Sequence, residues 1–138
     1  MTAGLSPTEM HQSLDADGLL DDSHNSGVYA IRCSVPANVE AVQRRWLEHN
    51  NTPLPDGYAE QLAEASRCVY VGASGDVYNR LRSHANGEVR KSAFVQAFPP
   101  VAIIGVWPHD APFEFERRKA YELSGQGTVC WTDGDLIT

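Results

Sequence analysis

The residues with the clearest capacity for chemistry lie in one short segment, RCVYVGASGDVYNRLRSHANGE, which spans 67–88. The segment begins as an apolar run typical of a buried strand, turns through the glycines and serine of 72–76, and continues with helical spacing. Arg80 and His84 are four residues apart, so both project from one side of that helix. Arginine suits a phosphate because its planar fork supplies paired donors and keeps its charge. The segment therefore predicts a strand-turn-helix that carries Tyr70, Arg80 and His84.

A carboxylate further along the chain is the second candidate. In the predicted helix that ends near Ser124, Glu116 and Ala120 are one turn apart and share a face, which alanine marks as the inner one. A carboxylate on an inner face is costly unless it pairs with a cation or a metal. Glu114, by contrast, lies four residues from Arg118 and can pair with it in solvent. Glu116 is thus predicted to be a ligand of a divalent ion, with a solvent-facing position as the alternative.

The elements that must position these residues follow from apolar periodicity. Tyr29 and Ile31 are predicted to face one side of the first strand, and Val28 and Ala30 the other. Thr128 to Trp131 could form a last short strand, followed by a turn at Asp133-Gly134. Strands are predicted at 28–33, 67–72 and 101–107, and helices at 37–49, 56–66, 77–86, 93–98 and 110–124.

Length and composition indicate one packed domain. The chain has 138 residues, of which 42% are apolar. Residues 1–24 are polar, acidic and without sustained periodicity, so a mobile N-terminal tail is expected before a single domain at 25–138. The three cysteines form no CxxC pair and are predicted to be buried thiols. No apolar run or leader pattern suggests a membrane or secretion, so we expect a cytoplasmic protein.

The charge is acidic overall but uneven. The net charge is −7 and only two of the eleven basic residues are lysine, which indicates an acidic, salt-adapted surface. Residues 67–91 nevertheless carry five basic side chains against two acidic ones. Substrate binding is therefore predicted to involve the turn and basic residues of this region, namely Gly72, Arg82, Arg90 and Lys91.

Two tripeptides link these features to a known family. The chain has Gly-Val-Tyr at 27–29 and Tyr-Val-Gly at 70–72, and in this respect it resembles the GIY-YIG endonucleases. The resemblance continues downstream, with Arg80 ten residues after Tyr70, His84 one helical turn further on, and Glu116 on the helix after the third strand. It covers most of the chain, from about Gly27 to Gly125.

The resemblance implies an α/β (α+β) fold with a small, three-stranded, mostly antiparallel sheet flanked by helices. This chain departs from the family by a helical insert at about 36–66, between strands one and two. It also has no asparagine in the region beyond the glutamate helix, and no appended DNA-binding domain is expected at this length. The insert is expected to pack on the sheet, although contact with a partner, or with DNA through Arg44 and Arg45, stays open. Its packing residues are expected to be Val42, Trp46, Leu47 and Leu62.

The function implied by the resemblance is divalent-metal-dependent hydrolysis of DNA phosphodiester bonds. Mg²⁺ (or Mn²⁺) would be held by Glu116, and Arg80 would share the developing charge. Tyr29, or less readily Tyr70, would help to deprotonate the attacking water, with His84 in support. A tyrosine has a free pKa of ~10 and needs nearby positive charge to act as a base.

Two alternatives stay open at this point. One is a catalytically silent module on the same fold, which binds nucleic acid or another protein. The other is a different small α/β enzyme that happens to contain both tripeptides. In the nuclease interpretation the partner is DNA, and a protein partner or a homodimer could supply specificity.

Overall fold

A mixed five-stranded sheet forms the centre of the protein in a computed structural model, which describes residues 4–86 and 92–138. The strand order is β3-β1-β2-β4-β5, and only the β2–β4 pair is parallel. The strands are β1 (Gly27–Cys33), β2 (Arg67–Ser74), β3 (Pro100–Pro108), β4 (Thr128–Thr132) and β5 (Asp135–Ile137). The helices are α1 (Pro7–Ala16), α2 (Leu20–Ser23), α3 (Val39–His49), α4 (Tyr58–Glu64), α5 (Val77–Asn86), α6 (Ala93–Ala97) and α7 (Pro112–Leu123).

The expected three-stranded, mostly antiparallel sheet is wrong. The chain leaves β3, crosses the sheet as α7, and returns as β4 beside β2 in parallel. It then reverses at Asp133-Gly134, where φ is 47° and 81°, to add β5. Left-handed φ at both central residues is the hairpin turn that Asp-Gly favours. The parallel pairing could not be predicted from the sequence, because it depends on a long crossover connection and not on a local pattern of residues.

The sheet separates two apolar layers. Tyr29, Ile31 and Tyr70 belong to the larger core beneath α1, α3, α4, α5 and α6. Val28 and Ala30 belong to the smaller core, which is covered by α7. This confirms the predicted division of β1 into two faces. The catalytic candidates on β1 and β2 therefore lie on the larger-core side.

Helix α1 packs against the domain within the segment 1–24, for which a mobile tail was expected and of which residues 1–3 lie outside the described residues. Helix α1 begins with a capping box in which Ser6 and Glu9 exchange hydrogen bonds. Met10 and Leu14 lie one turn apart and are buried against α5 and β3. Two apolar residues within an acidic stretch were too weak a pattern to reveal the contact.

The insert between β1 and β2 is largely a packing element. Val42, Trp46 and Leu62 are buried, and the Trp46 ring lies 5.3 Å from that of Trp131. Leu47 is 48% exposed, so its predicted packing role is wrong. The paired residues Cys33 and Cys68 keep the two ends of the insert adjacent, which makes its length tolerable.

The two arginines of the insert differ. The Arg45 Nε donates a hydrogen bond to the Ala97 carbonyl at 3.0 Å, and its guanidinium lies over the Phe98 ring. Arg45 therefore joins α3 to α6, whereas Arg44 is exposed.

None of the helices in the described ranges is long and apolar enough to cross a membrane.

Candidate active site

The pairing of β1 with β2 brings the two tripeptides together. The strands are antiparallel, with Tyr29 opposite Gly72 and Ile31 opposite Tyr70. Tyr29 and Tyr70 are therefore diagonal neighbours on one face, and their ring centroids lie 6.2 Å apart. Both tyrosines are buried. The hairpin-like juxtaposition expected from the sequence is present, despite the insert.

The glycine of the second tripeptide makes room for the tyrosine of the first. A Cβ atom at Gly72 would lie 2.5 Å from Tyr29 Cζ and 2.9 Å from Tyr70 Cε2. Only a residue without a side chain lets the Tyr29 ring cross the strand here. Gly27 is constrained in the same way, because a Cβ there would lie 2.5 Å from the Trp107 carbonyl oxygen. Both glycines are thus required by close packing at one end of the sheet.

Helix α5 delivers His84 to the tyrosines. Val77 and Leu81 bury one side of this helix and fix its orientation over the sheet. The imidazole of His84 is 2% exposed, and its Nε2 lies 2.8 Å from the Tyr29 hydroxyl oxygen. Its ring centroid is 5.6 Å from that of Tyr29 and 5.5 Å from that of Tyr70. His84 is therefore a member of the cluster rather than a surface residue.

Arg80 reaches the same hydroxyl. Burial raises the pKa of Tyr29 well above its ordinary value, and the neighbouring Tyr70 adds to the increase. The positive charge of Arg80 lies close enough to Tyr29 to lower that pKa, but the burial effect is larger. Arg80 thus acts in the direction expected from the sequence without turning Tyr29 into a phenolate at neutral pH. The phenol is a hydrogen-bonding group held between a cation and an imidazole.

Glu116 lies on α7, the helix that covers the smaller core on the other side of the sheet from the tyrosine rings. Ala120 anchors the helix on the smaller core, and Glu116, one turn nearer the N-terminus, is half-buried and accepts a hydrogen bond from Thr132 Oγ1 at 3.1 Å. Burial raises the pKa of its carboxyl group, and the charge of Asp133 adds to this effect. Glu116 lies within electrostatic range of the tyrosines, because its charge contributes to their raised pKa values after burial. The structure favours the half-buried position over the solvent-facing alternative.

The donor set fits one mode of Mg²⁺ binding. No group of three or more His, Cys, Asp or Glu residues able to hold a metal occurs within 4–86 and 92–138. Mg²⁺, however, is often bound by one or two carboxylates together with water and substrate phosphates. The Glu116 carboxylate makes no ion pair with a described residue, and Asp133 is the nearby second carboxylate. Glu116 is therefore suited to a metal that arrives with its substrate.

The predicted substrate-binding residues do not all belong to this cluster. Gly72 lies against the Tyr29 ring and acts through packing. Arg82 is exposed and lines a surface groove between α1 and α5, together with His11 and Tyr78. Arg90 and Lys91 lie outside the described residues.

Sequence reasoning missed two hydroxyl groups. Thr132 donates a hydrogen bond to Glu116, and burial raises the pKa of the Tyr70 phenol, an increase that the Ser92 hydroxyl partly opposes. Each is a lone hydroxyl beside the end of a short element, at the C-terminus of β4 or at the cap of α6. The sequence signal that could have indicated Thr132 is its place in β4, a strand whose residues are all buried.

Comparisons of the chain with known protein families, with curated proteins and with solved structures found no match.

Proposed function

We propose that the protein is a divalent-metal-dependent endonuclease that hydrolyses DNA phosphodiester bonds through a GIY-YIG active site. The observation that carries the proposal is the buried hydroxyl of Tyr29, which lies 2.8 Å from His84 Nε2 and within electrostatic range of Arg80. Residues from β1 and α5, 55 positions apart in the chain, thus form one polar cluster inside an apolar core. Such a cluster is costly to maintain for packing alone.

The charged residues supply the phosphate chemistry in this proposal. Arg80 binds a phosphate oxygen and shares the charge that develops during hydrolysis. Glu116 holds Mg²⁺, or Mn²⁺, which when bound neutralises the phosphate and stabilises the leaving oxygen. Both side chains are partly exposed, whereas Tyr29 and His84 are buried. The charged pair is therefore the part of the cluster that DNA reaches first.

The buried pair supplies a path for a proton. The Tyr29 hydroxyl donates to His84 when the imidazole is in the tautomer that leaves Nε2 without a proton. Tyr29 can then take a proton from the attacking water while its own proton passes to Nε2. No free phenolate is needed, which agrees with the raised pKa of Tyr29. His84 thereby acquires a role as proton acceptor instead of a merely supporting one.

The second candidate function is a nucleic-acid-binding module that does not cleave. It is favoured by the burial of Tyr29, which is 1% exposed and has a raised pKa. A phenol so enclosed needs an opening of the site before it can contact water at a bound phosphate.

For either function we propose a cytoplasmic location, because three buried free cysteines suit a reducing compartment.

The experiment is nicking of supercoiled plasmid with Mg²⁺, Mn²⁺ or EDTA over a range of salt concentrations. Wild type is compared with Glu116→Ala and Arg80→Ala, with Arg118→Ala as the control, because the Arg118 side chain is 78% exposed on α7 and has no role in the proposal. We expect metal-dependent nicking by wild type and the control, and loss of nicking in both site variants. An inert wild type, or site variants that cut equally well, would contradict the proposal. Binding of branched or nicked DNA in EDTA, without cleavage when metal is restored, would favour the binding module.

A further inference from the structure

A polar pocket opens at the end of the β1–β2 pair that is opposite to the candidate active site. The candidate active site lies near the Gly27–Ser74 end, whereas this pocket lies at the Cys33–Cys68 end. Its volume is about 320 Å³, within the range of small-ligand pockets. The lining comes from the end of β1 and the two residues after it, from the start of β2 and the two residues before it, and from Val101 of β3.

Two arginines line this pocket from neighbouring strands. Because Arg32 is opposite Val69 and residues two apart share a face, Arg32 and Arg67 are diagonal neighbours on one side of the sheet. Like charges at such positions repel each other. Neither guanidinium forms an ion pair or side-chain hydrogen bond within the described chain. The repulsion is thus uncompensated by the protein itself.

The remaining polar groups of the pocket are also donors. Ser34 and Ser66 contribute hydroxyl groups that have no hydrogen-bond partner among residues 4–86 and 92–138. Their backbone N–H groups are already bound, to the carbonyls of Pro99 and Gly127, both at 2.8 Å. No aspartate or glutamate is among the lining residues, although the chain carries a net charge of −7. The pocket is therefore a local site of positive charge on an acidic protein.

We propose that this pocket binds a phosphate group. Two guanidinium forks match the geometry of phosphate oxygens, and the serine hydroxyls can donate to the same group. An anion between the arginines also removes their mutual repulsion. The volume exceeds that of phosphate alone, so a phosphate ester of nucleotide size fits.

The pocket is independent of the proposed nuclease site. Tyr29 and Arg32 are three residues apart on one strand, a separation of ~10 Å, and they point to opposite faces of the sheet. The inference would stand if the protein cut no DNA. The phosphate has two candidate sources, a free phosphate ester and the 5′-phosphate of a DNA end.

The test is an NMR titration of the whole chain that follows the amide signals of Ser34 and Ser66. The probes are inorganic phosphate, adenosine 5′-monophosphate, adenosine, and a short single-stranded oligonucleotide with or without a 5′-phosphate. We expect saturable shifts with the phosphorylated probes and none with adenosine. Tighter binding of the mononucleotide points to a free ester, and tighter binding of the phosphorylated oligonucleotide points to a DNA end; either supports the site.

Variants decide whether the arginines are responsible. Arg32→Gln and Arg67→Gln should each weaken phosphate binding about tenfold or more, since each removes charge-assisted hydrogen bonds. Arg118→Gln removes an exposed arginine on α7, outside the pocket, and should leave affinity unchanged. Arg32→Lys and Arg67→Lys keep the charge and should bind more weakly than wild type because they lack the fork. Shifts that do not saturate, or equal affinity in wild type and the Gln variants with unchanged spectra elsewhere, would overturn the proposal.

Discussion

The Tyr29 hydroxyl is the residue-scale centre of the candidate site. It lies 2.8 Å from His84 Nε2 and within electrostatic range of Arg80, and Tyr29 is 1% exposed. Burial alone would favour a plain phenylalanine here, because each polar group removed from water must regain its hydrogen bonds. Packing alone therefore does not explain why residue 29 carries a hydroxyl group. In the proposed function this hydroxyl transfers a proton to His84.

Removal of this hydroxyl is the first prediction. Tyr29→Phe keeps the ring in the core but leaves His84 Nε2 without its partner, which costs about 1–3 kcal/mol of unfolding free energy. Plasmid nicking should fall at least about a hundredfold, the usual contribution of positioned acid–base groups. Tyr121→Phe, on the 60% exposed Tyr121, is the matched control. Equal nicking rates for the two variants would remove Tyr29 from the mechanism.

At this scale the sequence was informative about residue type and weak about environment. Spacing and resemblance predicted Tyr29, Tyr70, Arg80, His84 and Glu116, and the described structure places the first four in one cluster with Glu116 in electrostatic range. Nothing in the sequence indicated that burial would dominate the pKa of Tyr29, because burial depends on the helices above the sheet. The hydroxyls of Thr132 and Ser92 were likewise invisible, since their partners are distant in the chain.

At the scale of elements, β1, β2 and α5 form the rigid frame of the site. The frame depends on a close approach at Gly72, where the Tyr29 ring crosses β2. It also depends on the side of α5 that carries Val77 and Leu81, which are buried against the core. A small change in either contact should move the Tyr29 hydroxyl relative to His84.

The glycine contact gives the second prediction. In Gly72→Ala the new Cβ would meet Tyr29 Cζ at 2.5 Å, so the ring or the strand must shift. We expect a loss of about 1–3 kcal/mol in unfolding free energy, as for other overpacked sites. Gly75→Ala, where a Cβ would meet nothing within 4 Å, should change it by less than about 0.5 kcal/mol. Urea denaturation of both variants measures the difference, and similar midpoints would show that the close approach is unimportant.

Helix α1 gives the third prediction. Leu14 is 0% exposed between the N-terminal helix and the core, so Leu14→Ala should cost about 2–5 kcal/mol. Leu47→Ala makes the same chemical change at a 48% exposed position and should cost less than about 1 kcal/mol. Thermal or urea unfolding distinguishes the two. A loss at Leu14 no larger than at Leu47 would mean that the segment is a tail after all.

Element boundaries followed from the sequence where the periodicity was long. Helix α3 was expected at 37–49 and spans Val39–His49, and β3 was expected at 101–107 and spans Pro100–Pro108. Helix α1 differed because its buried positions, Met10 and Leu14, are outnumbered by acidic and polar neighbours. Local pattern reports an amphipathic helix only when the apolar stripe is wide enough.

At the scale of the whole molecule, the sheet brings together segments that the sequence leaves apart. The parallel β2–β4 pair places β4 beside β2, and Thr132 at the end of β4 donates a hydrogen bond to Glu116. The three cysteines of the protein, Cys33, Cys68 and Cys130, are all buried in this sheet. Because buried thiols resist ionisation, they determine how the stability of the folded protein responds to alkaline pH.

Alkaline pH gives the fourth prediction. Burial raises the pKa of Cys68 and of Cys130 from 9.0 to about 11, while the unfolded chain keeps ordinary thiols. Between these values the folded state holds more protons than the unfolded one, so the unfolding free energy falls as pH rises. The slope is at most about 1.4 kcal/mol per pH unit for each thiol. Urea midpoints measured from pH 8 to 11 should therefore decline less steeply in Cys68→Ala/Cys130→Ala than in wild type, and parallel slopes would contradict the prediction.

The fifth prediction tests the central claim, that Glu116 is held in a costly position for the sake of metal-dependent cleavage. Glu116→Gln keeps the shape and removes the charge that burial disfavours, so it should melt at the same temperature as wild type or higher. Glu114→Gln, on the exposed side of α7, is the control.

The decisive measurement is the rate of supercoiled-plasmid nicking in Mg²⁺ by wild type, Glu116→Gln and Glu114→Gln, each checked by thermal melting. The proposed function predicts nicking by wild type and Glu114→Gln, and a rate reduced about a hundredfold or more in a Glu116→Gln protein that is equally or more stable. Equal nicking by all three proteins, or none by wild type, would contradict it.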